Sequence, residues 1–270
     1  MVKPMVKELA LAGAALALLA GCTALRERFP GPDILFVATP EAVSLEMLKV
    51  AAVTNEDVVF DLGSGDGRVV IAAARDFGAR GVGVEIDPAL VNVSRDAAAA
   101  AGVAMRARFL WQDLFATDLS GATVVTLYLR DDVNLRLRPK LLHELAPGTR
   151  VVSHDFAMGD WAPDRVRRVR GPSREHRLYF WVVPARVDGA WRSRAGGAEA
   201  TALTLSQQFQ AVEGTLGAPP TAVTGRLTGD RLELTAGGLT YRGIVRGNAI
   251  EGSAGGPRTP PVPWTARRLP

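Results

Sequence analysis

The stretch VVFDLGSGDGRVVIAAA, residues 58–74, constrains this chain more than any other. An apolar run leads into glycine at 63, 65 and 67, and a second apolar run follows at once. That order predicts a buried strand, a tight loop and a helix, because glycine tolerates positive φ and lets a ligand approach the main chain. Apolar runs at 81–86, 107–111, 122–129 and 149–155 follow at intervals with room for helices between them. Asp87-Pro88 reads as an N-cap with proline in the first helical turn, and the alanine-rich run 97–101 stops at Gly102. Strands alternating with helices of this length predict an α/β fold with a parallel, Rossmann-like sheet. The runs 165–170 and 177–183 are joined by GPSREH, too short for a crossover helix, so they predict an antiparallel terminal hairpin.

What the loop holds is narrowed by exclusion. A dinucleotide fingerprint needs Gly or Ala where Arg68 stands, and the Gly-Lys-Ser/Thr of a P-loop is absent. In an open α/β sheet the ligand lies beyond the carboxyl ends of the strands. Those ends carry Asp61, then Glu85 with Asp87, then Gln112 and Asp113, then Tyr128, then His154 and Asp155. Glu85 stands twenty residues beyond Gly65, where a carboxylate can accept from ribose hydroxyls, and Asp113 is placed to accept from an exocyclic amine.

VVFDLGSGDGR, GVGVEID and FLWQDLF resemble the cofactor motifs of class I S-adenosylmethionine-dependent methyltransferases. DLGSGDGRVVIAAA followed by GVGVEID is especially similar to the seven-strand lysine methyltransferases, such as the ATP synthase c-subunit and non-SET histone-lysine enzymes. The resemblance spans about residues 36–184 and implies S-adenosylmethionine as cofactor. It implies that Asp61 and the backbone of Gly63, Ser64, Gly65 and Gly67 face the methionine end, with Glu85 at the ribose, Asp113 at the adenine and Gln112 also among the cofactor-binding residues. ATPEAV, 38–43, matches the family's lead-in, where Thr39 would close over the cofactor. The fourth strand ends in TLYLRDD and lacks the Asn/Asp-Pro-Pro-aromatic motif of enzymes that methylate adenine or glutamine, which argues against those acceptors and leaves protein lysine open. Tyr128 is the candidate beside the transferred methyl, and His154 and Asp155 are candidates for acid–base work or substrate contact. His143 and His176 carry no signal. Three dispersed histidines and one cysteine predict no metal site.

Composition bounds the rest. The 270 residues are 47% hydrophobic and 22% charged with a net charge of +4, which suits a globular chain with a real core. Its four lysines form no polybasic run and its arginines are scattered, so no nucleic-acid partner is predicted. Lys3 and Lys7 precede an apolar stretch that ends in Leu19-Ala20-Gly21-Cys22, which resembles a bacterial lipobox. Residues 1–21 therefore read as a signal peptide, Cys22 as a lipidated N-terminus on the exported side of the cell envelope, and 22–35 as a linker. The alternative is a cytoplasmic enzyme anchored by its N-terminus. The methyltransferase domain is expected over 36–185. Its competing reading is a non-catalytic envelope lipoprotein that keeps the fold for binding.

Residues 186–270 change character: no lysine, much glycine, and short alternating runs. VTGRLTGDRLEL (223–234) and YRGIVRGNAIEG (241–252) align as a weak repeat with Gly-Asp and Gly-Asn at hairpin positions. They predict a small antiparallel sheet or partial barrel, in which Trp191 and Trp264 read as core plugs.

Overall fold

A computed structural model describes residues 37–270. The expected signal peptide, Cys22 and the 22–35 linker lie outside the described residues.

Helix α1 (Glu41–Val50) opens the described chain. The opening motif then folds as strand β1 (Val58–Leu62), the glycine loop and helix α2 (Arg68–Asp76). It is followed by β2 (Arg80–Glu85), α3 (Pro88–Ala100), β3 (Ala107–Trp111), β4 (Val124–Leu127), α4 (Asp131–Glu144) and β5 (Arg150–His154). Strands β6 (Arg165–Arg170) and β7 (Glu175–Val182) complete a seven-stranded sheet in the order β3-β2-β1-β4-β5-β7-β6. The first five strands run parallel; β7 is antiparallel to β5, and β6 to β7.

The central strands bury both faces, so their sequences are continuously apolar. Leu62, Leu127 and Val151 have no exposed surface and pack in one core with Leu137, Leu141 and Trp181. On the other face, α1 and α2 bring Val43, Leu48 and Ala73 against Val59, Val124 and Val152. Each fully buried aliphatic side chain contributes about 1.5–3 kcal/mol. The cap read at Asp87 forms: its carboxylate accepts from the Ala89 N–H at 2.8 Å, with Pro88 in the first turn.

From Gly189 onward the chain is all strand: β8 (Gly189–Ala195), β9 (Thr201–Gln208), β10 (Ala211–Leu216), β11 (Thr221–Thr228), β12 (Arg231–Ala236), β13 (Leu239–Arg246), β14 (Ala249–Gly256) and β15 (Thr259–Arg268). These eight close into an antiparallel barrel, β15 pairing with β8. The partial barrel expected from the sequence is thus a complete one. Its two aligned repeats are the β11–β12 and β13–β14 hairpins, turning at Gly229 and Gly247 with φ of 60° and 58°. Gly225 is required by proximity, since a Cβ there would lie 2.2 Å from the Glu233 carbonyl oxygen. Trp191 and Trp264 fill the interior, and each indole N–H has an acceptor: the Val187 carbonyl at 2.7 Å and Ser193 Oγ at 2.9 Å.

The barrel docks on the end of the sheet. The Ala185 N–H donates to the Gly229 carbonyl at 2.8 Å, and Trp161 stacks on Phe209. Asp164 joins both parts: it accepts from the Val182 N–H at 2.8 Å, from Gln210 Nε2 at 3.3 Å and from Arg226 Nη2.

Candidate active site

A cavity of about 420 Å³ opens beyond the carboxyl ends of β1, β2 and β4, where the strand order reverses. Its polar lining includes Thr39, Asp61, Ser64, Asp66, Arg68, Glu85, Gln112, Asp113 and Tyr128. Leu114, Phe115, Leu129 and Val133 supply apolar wall.

Asp61 is drawn into the sheet by the strand that carries it. Its register partner on β4 is Thr126, whose hydroxyl donates to Asp61 Oδ1 at 2.6 Å. Burial pushes the Asp61 carboxyl up to about 7; the Thr126 bond opposes this, and the nearby Glu85 and Asp66 add to it. A carboxylate held in this state favours a bound cation, and S-adenosylmethionine carries positive charge on its sulfonium and amino groups.

Glu85 has a second job that its spacing did not reveal. Oε2 accepts from the Gly65 N–H at 2.9 Å, and Oε1 accepts from the N–H groups of Ile86 and Asp87 at 2.8 and 3.0 Å. The carboxylate therefore ties the glycine loop to the end of β2. A carboxylate offers about four lone-pair sites, so these three bonds leave capacity for one strong ribose contact. Asp113 accepts from the Phe115 N–H through Oδ1 at 2.8 Å, and Gln112 Nε2 donates to the Ala116 carbonyl at 3.2 Å; both bonds shape the loop after β3.

Two glycines expected to face the cofactor do not line the cavity. Gly65 instead gives its N–H to Glu85 and its carbonyl to Ser94 Oγ. Gly67 caps α2 at φ 79°, and a Cβ there would lie 2.6 Å from the Phe109 ring and 2.9 Å from Ser94. Both act behind the loop. Gly63 and Ser64 do line the cavity.

Tyr128 forms part of the cavity wall, whereas His154 and Asp155 do not line it. His154 is wholly buried and stacks on the far side of Tyr128, ring centroids 3.9 Å apart. Its Nδ1 meets Thr39 Oγ1 at 3.2 Å and its Nε2 meets His176 Nδ1 at 2.8 Å. Burial pushes the His154 imidazole down to about 4 against the pull of Asp155, so the ring is neutral near pH 7. For Asp155, burial is outweighed by Arg174, the Arg177 N–H and His154, and its carboxyl sits below the usual range. The expectation that the histidines stay dispersed is corrected here. His154 ends β5, His176 lies on the neighbouring β7, and antiparallel pairing brings them together across 22 residues.

Arg68 is the other residue that sequence reasoning undervalued. It pairs with Asp66 and donates from Nη1 to the Thr39 carbonyl at 2.8 Å, fastening the lead-in segment over the cavity. Its signal was its place at the first helical residue after the loop, within reach of whatever covers the loop.

A doubly wound sheet with an antiparallel strand inserted after five parallel ones, a glycine loop, and carboxylates on three successive strand ends defines a class I methyltransferase domain. Residues 61–165 match the ANTKMT methyltransferase domain. The chain is 44% identical over 158 residues to a protein-lysine N-methyltransferase of Saccharolobus islandicus, covering 56% of this chain and 95% of that one. It is 38% identical over 122 residues to the lysine N-methyltransferase of the ATP synthase c-subunit from Xenopus laevis, of which it spans about half, 52%. A crystal structure named as an RNA methyltransferase from Salinibacter ruber, in complex with S-adenosyl-L-homocysteine, matches with a TM-score of 0.54 and 54% identity. That match covers 56% of this chain and 96% of the other. The chain belongs to this family of S-adenosylmethionine-dependent methyltransferases. Because 56% of this chain accounts for nearly all of two relatives, the remainder has no counterpart in them.

Proposed function

We propose that this methyltransferase acts on protein lysine. The observation that carries the reading is the cavity wall: Tyr128, Leu129 and Val133 from the end of β4 and the start of α4, with Leu114 and Phe115 from the loop after β3, make an apolar stretch bordered by Arg136, whose guanidinium lies over the Phe115 ring. It is supported by the lysine-specific names of the Saccharolobus and Xenopus relatives.

When bound, S-adenosylmethionine supplies a methyl group already activated on sulfonium. In this reading Asp61 holds the positively charged end, Glu85 accepts from ribose, and Asp113 and Gln112 border the adenine. A lysine ammonium, with an ordinary pKa of about 10.4, must lose its proton before it can attack. The apolar stretch and the neighbouring Arg136 charge both disfavour the ammonium form and so favour the free amine. Tyr128, its ring fixed against His154, supports the acceptor nitrogen in line. Most of the acceleration then comes from orientation.

A second reading has one observation behind it: the Salinibacter relative is named for RNA. Purified protein is to be incubated with S-adenosylmethionine carrying a labelled methyl, together with a cell extract, with and without ribonuclease or protease. Protein-bound label that mass spectrometry maps to lysine supports the proposal; label that disappears with ribonuclease overturns it in favour of RNA.

We also propose that the chain works at the cell envelope through lipidated Cys22, because its only cysteine ends Leu-Ala-Gly-Cys after an apolar stretch. Metabolic labelling with a fatty acid should mark the wild type and leave Cys22→Ser unlabelled. An unlabelled wild type sinks this part alone.

A further inference from the structure

Behind the Tyr128 wall, three lone-pair-bearing atoms converge: His154 Nε2, His176 Nδ1 and Asp155 Oδ2. Their separations are 2.8, 3.2 and 3.4 Å. We infer that His154, Asp155 and His176 form a site for one divalent transition-metal ion of the zinc class.

The first argument is spacing. A tetrahedral ion with bonds of about 2.0–2.1 Å holds its ligand atoms about 3.3–3.4 Å apart. Two of the three edges here already lie close to that, and the third opens by about half an ångström if the ion replaces the proton between the rings. Two imidazoles and a carboxylate suit zinc, cobalt or nickel better than magnesium or calcium, which prefer all-oxygen sets.

Proton accounting gives the second argument. A neutral imidazole has one N–H, and Asp155 is an acceptor only. With one N–H donated between the two rings, the ring nitrogen that accepts it and the Asp155 oxygen share a single hydrogen among three convergent atoms. A divalent ion uses all three lone pairs at once. No proton need be released when His154 Nε2 carries that hydrogen: it moves to Nδ1 of the same ring, while His176 keeps its own on Nε2, a buried nitrogen with no hydrogen-bond partner among the described residues. His154 Nδ1–H then donates to Thr39 Oγ1, which lies 3.2 Å away and acts as the outer partner that fixes a ligating histidine.

Third, the backbone is bent to present the carboxylate. Asp155 sits at φ 61°, in the left-handed region that few residues other than Gly, Asn and Asp adopt. Arg174, which is half exposed, now balances the Asp155 charge; it can swing outward when an ion assumes that role. Bound metal would tie β5 to β7 and, through Thr39, stiffen the segment over the cofactor cavity.

The test needs neither cofactor nor turnover, so its failure is separable from failure of the lysine reading. Purified protein is stripped with a chelator and titrated with Co²⁺, following visible d–d absorption and thermal melting. The expected result is one Co²⁺ per chain, displaced by Zn²⁺, with a rise in Tm of several degrees. His176→Gln should abolish the spectrum, and Asp155→Asn should weaken binding at least tenfold. Asn tolerates the positive φ at 155, so this second variant keeps its backbone, which circular dichroism checks. Absence of both absorption and Tm shift with Co²⁺ or Zn²⁺ overturns the site, as does unaltered binding in both variants.

Discussion

Asp61 pits stability against function at a single atom group. Its folded carboxyl has a pKa of about 7 against 3.8 in the open chain, so between those values the folded state holds a proton that the unfolded state has lost. The stabilisation is whole below pH 3.8 and is lost as pH rises through 7. Asp61→Asn keeps an acceptor for Thr126 and removes the charge. Without cofactor, the variant should be more stable than wild type by about 1–3 kcal/mol at pH 8, and the gain should vanish by pH 4. Urea denaturation at the two pH values measures it. The same variant should bind S-adenosylmethionine at least tenfold more weakly by calorimetry. At this scale the sequence was informative where the backbone is near: Asp61, Glu85 and Asp113 stand on strand ends and all line the cavity. It was silent on His176, because nothing in EHRLYFW says which residue of a neighbouring strand each side chain will meet. The spacing of Gly65 and Gly67 records loop geometry and packing as well as ligand approach.

Helix α4 begins beside the cavity at Asp131 and is pinned at one buried point. Asn134 donates from Nδ2 to Ser153 Oγ at 3.2 Å and to the carbonyls of Phe156 and Ala157 at 3.3 Å. Asn134→Ala leaves the buried Ser153 hydroxyl and two partly buried carbonyls without this donor and should cost about 1–3 kcal/mol. Loosening the start of α4 also frees Val133 in the wall, so the Michaelis constant for the acceptor should rise more than that for S-adenosylmethionine. Chemical denaturation and steady-state kinetics check the two parts. The central strands β1, β4 and β5 were legible because burial on both faces makes them almost continuously apolar, and α3 because Asp87, Pro88 and Gly102 punctuate it. Closure of the barrel was not legible: eight short alternating strands state which residues face inward, whereas the pairing of β15 with β8 depends on tilt and register accumulated around the ring.

Asp164 is where the two halves of the molecule become one cooperative unit. Its bonds to Val182, Gln210 and Arg226 reach from the sheet into the barrel. Asp164→Ala removes them together, and scanning calorimetry should then resolve two transitions where the wild type shows one. A single unshifted transition would show that the remaining contacts suffice for coupling: Trp161 and Arg138 on Phe209, the Gln210 Nε2–Ala162 carbonyl bond and the Ala185–Gly229 bond. The aromatic contact is worth about 0.5–1.5 kcal/mol beyond its buried area, so coupling should weaken without the barrel itself unfolding.

The pairing of β15 with β8 also places the last strand of the barrel beside its first, where the Leu269 N–H donates to the Ala190 carbonyl at 2.9 Å. A ring of strands whose two ends meet needs only one junction with its host and presents no open strand to it. Cutting the β12–β13 turn at Gly237-Gly238 and joining 189 to 268 through a few glycines should give a permuted barrel that still closes.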